Sequence, residues 1–389
     1  HSPEPKKTTT RRAEMPTRRT ILRAGVLAGA GVAASACKPL SPEKSTSVIA
    51  FHGLRQAGVQ TSPQSHLVLL GIDLTPKSGA EDLGRLMWLW SDDAARLTSG
   101  QPALADTEPE LAVDPANLTV TFGIGPRLTQ LVSGVTLDPL PHFSTDKLQE
   151  RWGQTDLVVQ LCADDLISLT HAQRMLLKDM AGLGVLRWTQ SGFHQRTDDG
   201  SSGRNLMGQL DGSVNPRNAN EHDALVWADG AWKHGTFLAV RRIEMHLDTW
   251  DELDREAREF TIGRKLSNGA PLSGGKDEFA DPDLHATDKH GFALIDPASH
   301  VARSRSAMNG PQFLRRGYNY VEPTDGTSGL IFMAYASDLA GQFVPVQQRL
   351  AEQDLLNQWT QAIGSAVYAI WPGAPKGDYV GRAQLGLPR

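Results

Sequence analysis

Cysteine is scarce: the chain of 389 residues has two, Cys37 and Cys162. Two thiols cannot build a four-cysteine zinc or iron–sulfur site, and no C-x-x-C-H is present for covalent attachment of a porphyrin. If Cys37 is removed or lipidated, Cys162 has no partner and a disulfide is excluded. A long hydrophobic run is also missing. The apolar stretch Ala24–Ala34 is too short, and too rich in Gly and Ala, to span a bilayer core of roughly 30 Å. Basic charge is lacking wherever a nucleic-acid surface would need it. Residues 1–45 hold nine Lys/Arg against three Asp/Glu, whereas the rest holds 30 against 41. An acidic body cannot neutralise a phosphate backbone, which argues against nucleic acid as a partner.

What is present is ordinary globular material, 40% hydrophobic and 21% charged, with enough length for two domains. The first 45 residues read as an address. Thr17-Arg18-Arg19-Thr20-Ile21-Leu22-Arg23 resembles the twin-arginine export consensus, the apolar stretch follows it, and Ala34-Ser35-Ala36 forms a small-residue cleavage site. This pattern predicts export through the twin-arginine translocase to an extracytoplasmic or secreted location. The same residues allow lipidation of Cys37 and anchoring to the outer face of the membrane. Because that route carries folded proteins, it favours a cofactor inserted before export.

After a Pro/Ser/Lys-rich linker at 38–48, strand and helix patterns alternate. His66–Leu74, Leu118–Phe122, Asp156–Leu161 and Val185–Thr189 read as strands. Glu81–Leu97 reads as an amphipathic helix, and Asp164 or Asp165 caps a second helix carrying Leu169, Leu176 and Met180. This strand–helix–strand, strand–helix–strand order is that of a ferredoxin-like unit. The second half repeats it, with strands at Phe237–Leu247, Gly317–Glu322 and Gly329–Ser337. Its helices are read at Asp251–Leu266 and, as one long helix, at Val346–Ile370. The predicted fold is therefore α+β: two ferredoxin-like domains, 46–210 and 211–389, with antiparallel sheets and peripheral helices.

Three segments can carry chemistry. Gly208-Gln209-Leu210-Asp211-Gly212 places a carboxylate between two glycines, which allow a tight turn and a close approach to a ligand. Asn215-Pro216 stiffens its exit. His300 follows Pro297-Ala298-Ser299, and Arg315 with Arg316 opens a strand. Taken one at a time these are a turn, a satisfied histidine and a solvated edge. Taken in order they resemble the dye-decolorising peroxidase family. Gly208–Gly212 matches its GxxDG motif, continued by Asn215-Pro216. Pro297–Val301 is similar to the segment with its haem-ligating histidine, and Leu314–Tyr318 to that with its distal arginine. The likeness runs from about residue 48 to the C-terminus.

The resemblance implies a haem peroxidase of the dimeric α+β barrel type, with non-covalent haem b held mainly in the C-terminal half. It implies hydrogen peroxide and a one-electron donor (dye or phenolic) as substrates, reacting through a ferryl intermediate. His300 would ligate the iron, with Asp288 as the carboxylate on its other nitrogen. Asp211 would move the peroxide proton and Arg315 stabilise the developing anion, Arg315 being preferred to Arg316. Gly212, Asn215 and Arg303 would contact the cofactor. Here Ala302 stands where the family often has arginine, and Gln209 and Leu210 where an aromatic residue is frequent. Homodimers are common for such exposed-sheet domains. Two other outcomes share these residues: release of iron from haem, as in a deferrochelatase, and haem binding or delivery without catalysis.

Overall fold

The computed structural model describes residues 47–197, 202–305 and 312–388. The export segment and Cys37 lie outside the described residues. The first half consists of β1 (His66–Leu74), α1 (Ala80–Thr98), β2 (Thr119–Ile124), β3 (Leu157–Ala163), α2 (Leu166–Asp179) and β4 (Gly184–Phe193). Asp165 caps α2 by accepting from Ser168 N, while Asp164 instead accepts from Ser65 N and Asn117 Nδ2. After α3 (Ala219–Leu225), the second half runs β5 (Thr236–Met245), α4 (Leu247–Asp251), α5 (Arg255–Ile262), α6 (His300–Ser304), β6 (Leu314–Val321), β7 (Ser328–Ala336), α7 (Leu339–Gln353) and β8 (Thr360–Ile370), then α8 (Arg382–Leu385).

Each half has the antiparallel strand order of a ferredoxin-like sheet: β4-β1-β3-β2 in the first, β8-β5-β7-β6 in the second. The halves join edge to edge through short pairings, Gly123 with Ile370 and Phe193 with Asn319, and so close an eight-stranded barrel. Closure leaves no free sheet edge among the described strands. Residue 210 falls in the connection from β4 to β5, and residues 46–389 form one compact unit.

Strand alternation sorts the side chains into an inside and an outside. The barrel interior is packed with Leu69, Val158, Tyr318, Met333, Tyr335 and Tyr368. Outside, α1 and α2 lay Leu86, Met87, Trp90, Leu169 and Leu176 onto Leu70, Ile72, Phe122 and Val159. At about 25 cal/mol per Å² of apolar surface removed from water, this face is a main source of stability for the first half.

Two elements of the second half depart from the sequence reading. The long helix expected over Val346–Ile370 ends at Gln353, followed by a short 3-10 turn and then β8. Residues four apart share a face on a strand as well as on a helix, so the spacing of Ile363 and Val367 does not discriminate. Asp354 makes the break: its N–H still bonds Leu350 O, while its carboxylate accepts from Leu356 N. The helix expected over Asp251–Leu266 is likewise shorter, capped by Asp254 and ended by Gly263 at φ +90.

Candidate active site

The outer face of the second sheet opens onto a cavity of about 1190 Å³, open mouth included. Its apolar wall comes from Ile243 and Met245 of β5, Ile262 of α5, and Leu330 and Phe332 of β7. His300, Asp211 and Arg315, drawn from three distant segments, all line it.

His300 is the first residue of α6, where Ser299 caps the helix by accepting from Ala302 N. Its Nδ1 lies 2.6 Å from Asp354 Oδ2, and the Asp354 side chain is only 3% exposed. A carboxylate accepts, so Nδ1 carries the hydrogen and Nε2 is left as the ring's free lone pair. Burial disfavours the charged ring, but the charge and hydrogen bond of Asp354 outweigh it and hold the imidazole above its ordinary pKa. This corrects the expectation for Asp288. That carboxylate accepts from His290 N and Phe292 N in an exposed turn, and Asp354 is the one on His300. Asp354 lies inside the segment Val346–Ile370 expected as one helix, and nothing in its local sequence marks it as the partner of His300.

Asp211 sits on a loop tied by Asp211 N to Gly203 O and by Asn205 Oδ1 accepting from Met207 N and Gln209 N. Gly208 at φ +82 and Gly212 at φ +122 take backbone conformations that side chains strain. The carboxylate meets Arg315 at 3.3 Å, both side chains about a quarter exposed. Strand alternation separates the adjacent arginines. Arg315 faces outward to the cavity, while Arg316 points into the barrel to Thr61 O, Gln64 and Tyr318.

Three residues expected at the cofactor stand outside the lining of this cavity. Asn215 does not line this cavity; its amide donates to Arg315 O and accepts from Arg315 N, pinning that backbone. Gly212 lies beside it, away from the cavity. Arg303 turns outward to Arg349 O and Glu352. Arg305, two residues on, lines the cavity instead, together with the buried Arg264. Burial, with Arg305 and Arg315 nearby, pushes the Arg264 guanidinium down to about 10.

Haem fits these residues. An imidazole with one nitrogen fixed by a carboxylate offers the other to iron, apolar walls suit the macrocycle, and the propionates need cations. Nε of Arg305 and of Arg315 is buried without a hydrogen-bond partner among the described residues. A doubled ferredoxin-like barrel with such a pocket is the build of a haem-binding α+β protein.

Comparison with known proteins narrows this further. Residues 56–194 match the family model described as Dyp-type peroxidase, N-terminal, and residues 202–375 that described as Dyp-type peroxidase, C-terminal. The chain is 34% identical to a dye-decolorizing peroxidase of Thermobifida fusca (strain YX), over 93% of this chain and 94% of that one. It is 31% identical to a deferrochelatase of Shigella flexneri serotype 5b (strain 8401), over 95% and 97%. The crystal structure of a DyP-type peroxidase from Cellulomonas bogoriensis superposes with TM-score 0.83 and 46% identity, covering 87% of this chain and 98% of that one. The chain belongs to the Dyp-type peroxidase family. It is a haem peroxidase whose cofactor is held non-covalently.

Proposed function

We propose that His300 is the iron ligand, Asp211 the proton-transfer group and Arg315 the anion-stabilising group of this peroxidase. One observation carries the reading: a single cavity is lined by both the His300–Asp354 pair and the Asp211–Arg315 pair. Haem, when bound, supplies the iron at which the peroxide O–O bond is broken and from which a reducing substrate is oxidised. Asp354, by accepting from Nδ1, orients the His300 ring and raises the basicity of Nε2. Asp211 takes the proton from one peroxide oxygen and returns it to the other, which then leaves as water. Arg315, held by Asn215 through its backbone and by Asp211 through its guanidinium, donates to the oxygen on which negative charge grows. Arg305 and Arg264 supply positive charge for the propionates.

The test is rapid mixing of haem-loaded protein with one equivalent of hydrogen peroxide while the Soret band is followed. The unaltered protein should respond within seconds. Arg315→Ala should keep its haem and react about 10²–10³-fold more slowly, and Asp211→Asn about 10²–10⁴-fold. Unaltered rates in both variants would remove these assignments.

A second reading, release of iron from haem, is favoured by the deferrochelatase relatives. Its product, iron-free porphyrin, separates it from substrate oxidation by fluorescence. We infer export from Arg18-Arg19 and the following apolar stretch. Replacing both arginines by lysine should retain the protein in the cytoplasmic fraction.

A further inference from the structure

Asp211 and Arg315 line two cavities at once. The second, about 910 Å³ counted the same way, is also lined by His194, Arg196, Arg316 and Gly317. Peroxide reduction to two waters consumes two electrons and two protons. The electrons come from the reducing substrate, and the protons must reach the site from solvent. The second cavity reaches the Asp211 carboxylate by a path that does not pass through the first.

We propose that His194 is the proton-relay residue for Asp211, passing protons from the second cavity to that carboxylate. It is a positioning residue that acts through Asp211, and the proposal rests on the role of Asp211 given above.

The geometry supports this at both ends. Nδ1 of His194 is 3.3 Å from Gly317 O. A carbonyl only accepts, so Nδ1 carries the hydrogen and Nε2 stays a proton acceptor. The ring and the Asp211 carboxylate line the same cavity without a direct ion pair among the described residues, so the proton crosses between them on water, and two glycines keep that space clear. At Gly203, whose carbonyl holds Asp211 N, an added Cβ would lie 2.8 Å from His194 Nε2; at Gly317 it would lie 3.3 Å from Asp211 Oδ2. The ring tilts over Tyr318 with centroids 5.7 Å apart. The charged groups around it are Asp211, Arg315, Arg316 and Arg196. Burial, reinforced by Arg316 and Arg196 and opposed by Gly317 O and Asp211, holds the imidazole below its ordinary pKa. At neutral pH the ring is therefore uncharged. It can take a proton from the cavity and release it easily.

His194→Gln in the haem-loaded protein tests this. The single reaction with one equivalent of peroxide should keep its rate, because Asp211 recycles that proton internally. Turnover at saturating peroxide and donor should fall by about tenfold or more. The rise of kcat toward lower pH, centred below the usual histidine range, should disappear. If Asp211→Asn slows the single reaction while His194→Gln keeps both kcat and its pH profile, the relay is wrong and the Asp211 reading stands. If Asp211→Asn has no effect on the single reaction, the underlying reading fails first. Should His194→Gln not retain haem, the His194 ring is titrated by NMR in the diamagnetic ferrous carbonyl form. Removing the Asp211 charge by Asp211→Asn should lower the midpoint, and an unmoved midpoint would overturn the proposal.

Discussion

The two halves of the barrel share one strand order and use it for opposite ends. In the first half the β1-to-β2 crossover is the 19-residue helix α1, whose Leu83, Leu86, Met87, Trp90, Ala94 and Leu97 seal the sheet. In the second half the equivalent crossover, from β5 to β6, breaks into α4, α5 and α6 with long turns between them. The sheet residues beneath it, Ile243, Met245, Leu330 and Phe332, face a cavity instead of a helix. Topology alone therefore does not make a site. A sheet face becomes a pocket when the covering helix is replaced by short pieces that cannot bury it, and a ligand must then supply the missing apolar contact.

The sharpest way to break this comparison is to remove the ligand's anchor. His300→Ala should fold, since the ring sits at the first position of a short helix, yet lose haem completely. A normal ferric Soret band in that variant would move the anchor elsewhere.

The next effect is on stability. Trp90→Ala in the sealed half removes a side chain 1% exposed and should cost about 3–5 kcal/mol in urea unfolding. Ile243→Ala on the half-buried cavity wall should cost only about 1 kcal/mol in haem-free protein, because its apolar surface is already partly in water. Equal costs would show that the second sheet is sealed after all.

The smallest effect is a pH dependence confined to the first half. Asp179, at the end of α2, is pushed up to about 7 by burial and by the neighbouring charge of Asp93 on α1. The folded chain then binds a proton that the unfolded chain has released, so stability falls as pH rises from about 4 to 7. Asp179→Asn should flatten that slope, raising the urea midpoint at pH 7.5 and leaving it nearly unaltered at pH 4.5.

Much of the site was legible because its motifs are local. The Gly208–Gly212 turn, the Ser299–His300 helix start and the Leu314–Tyr318 strand each present one side chain to the cavity, and alternation along β6 sends Arg315 and Arg316 to opposite faces. Long-range partners were harder to see. Asp354 is 54 residues from His300, Arg264 reaches the cavity from beyond α5, and His194 follows directly on β4 of the other half. Nothing in their immediate sequence marks them, because each acquires its role from what packs against it. The same holds for β8. Thr360–Ile370 becomes a strand by pairing with β5 and β2, whose segments lie more than a hundred residues away.

By itself, the sequence determined the strand and helix order of the first half, the α+β class and the family, and its motifs singled out Asp211, His300 and Arg315, since these depend on periodicity and backbone preferences acting over a few residues. Tertiary structure alone decided which carboxylate holds His300, which arginines line the cavity, and that one sheet face is sealed while the other is open. Those outcomes depend on burial and on pairings between distant segments, and a side chain's charge state and neighbours are set only once the chain has closed around it.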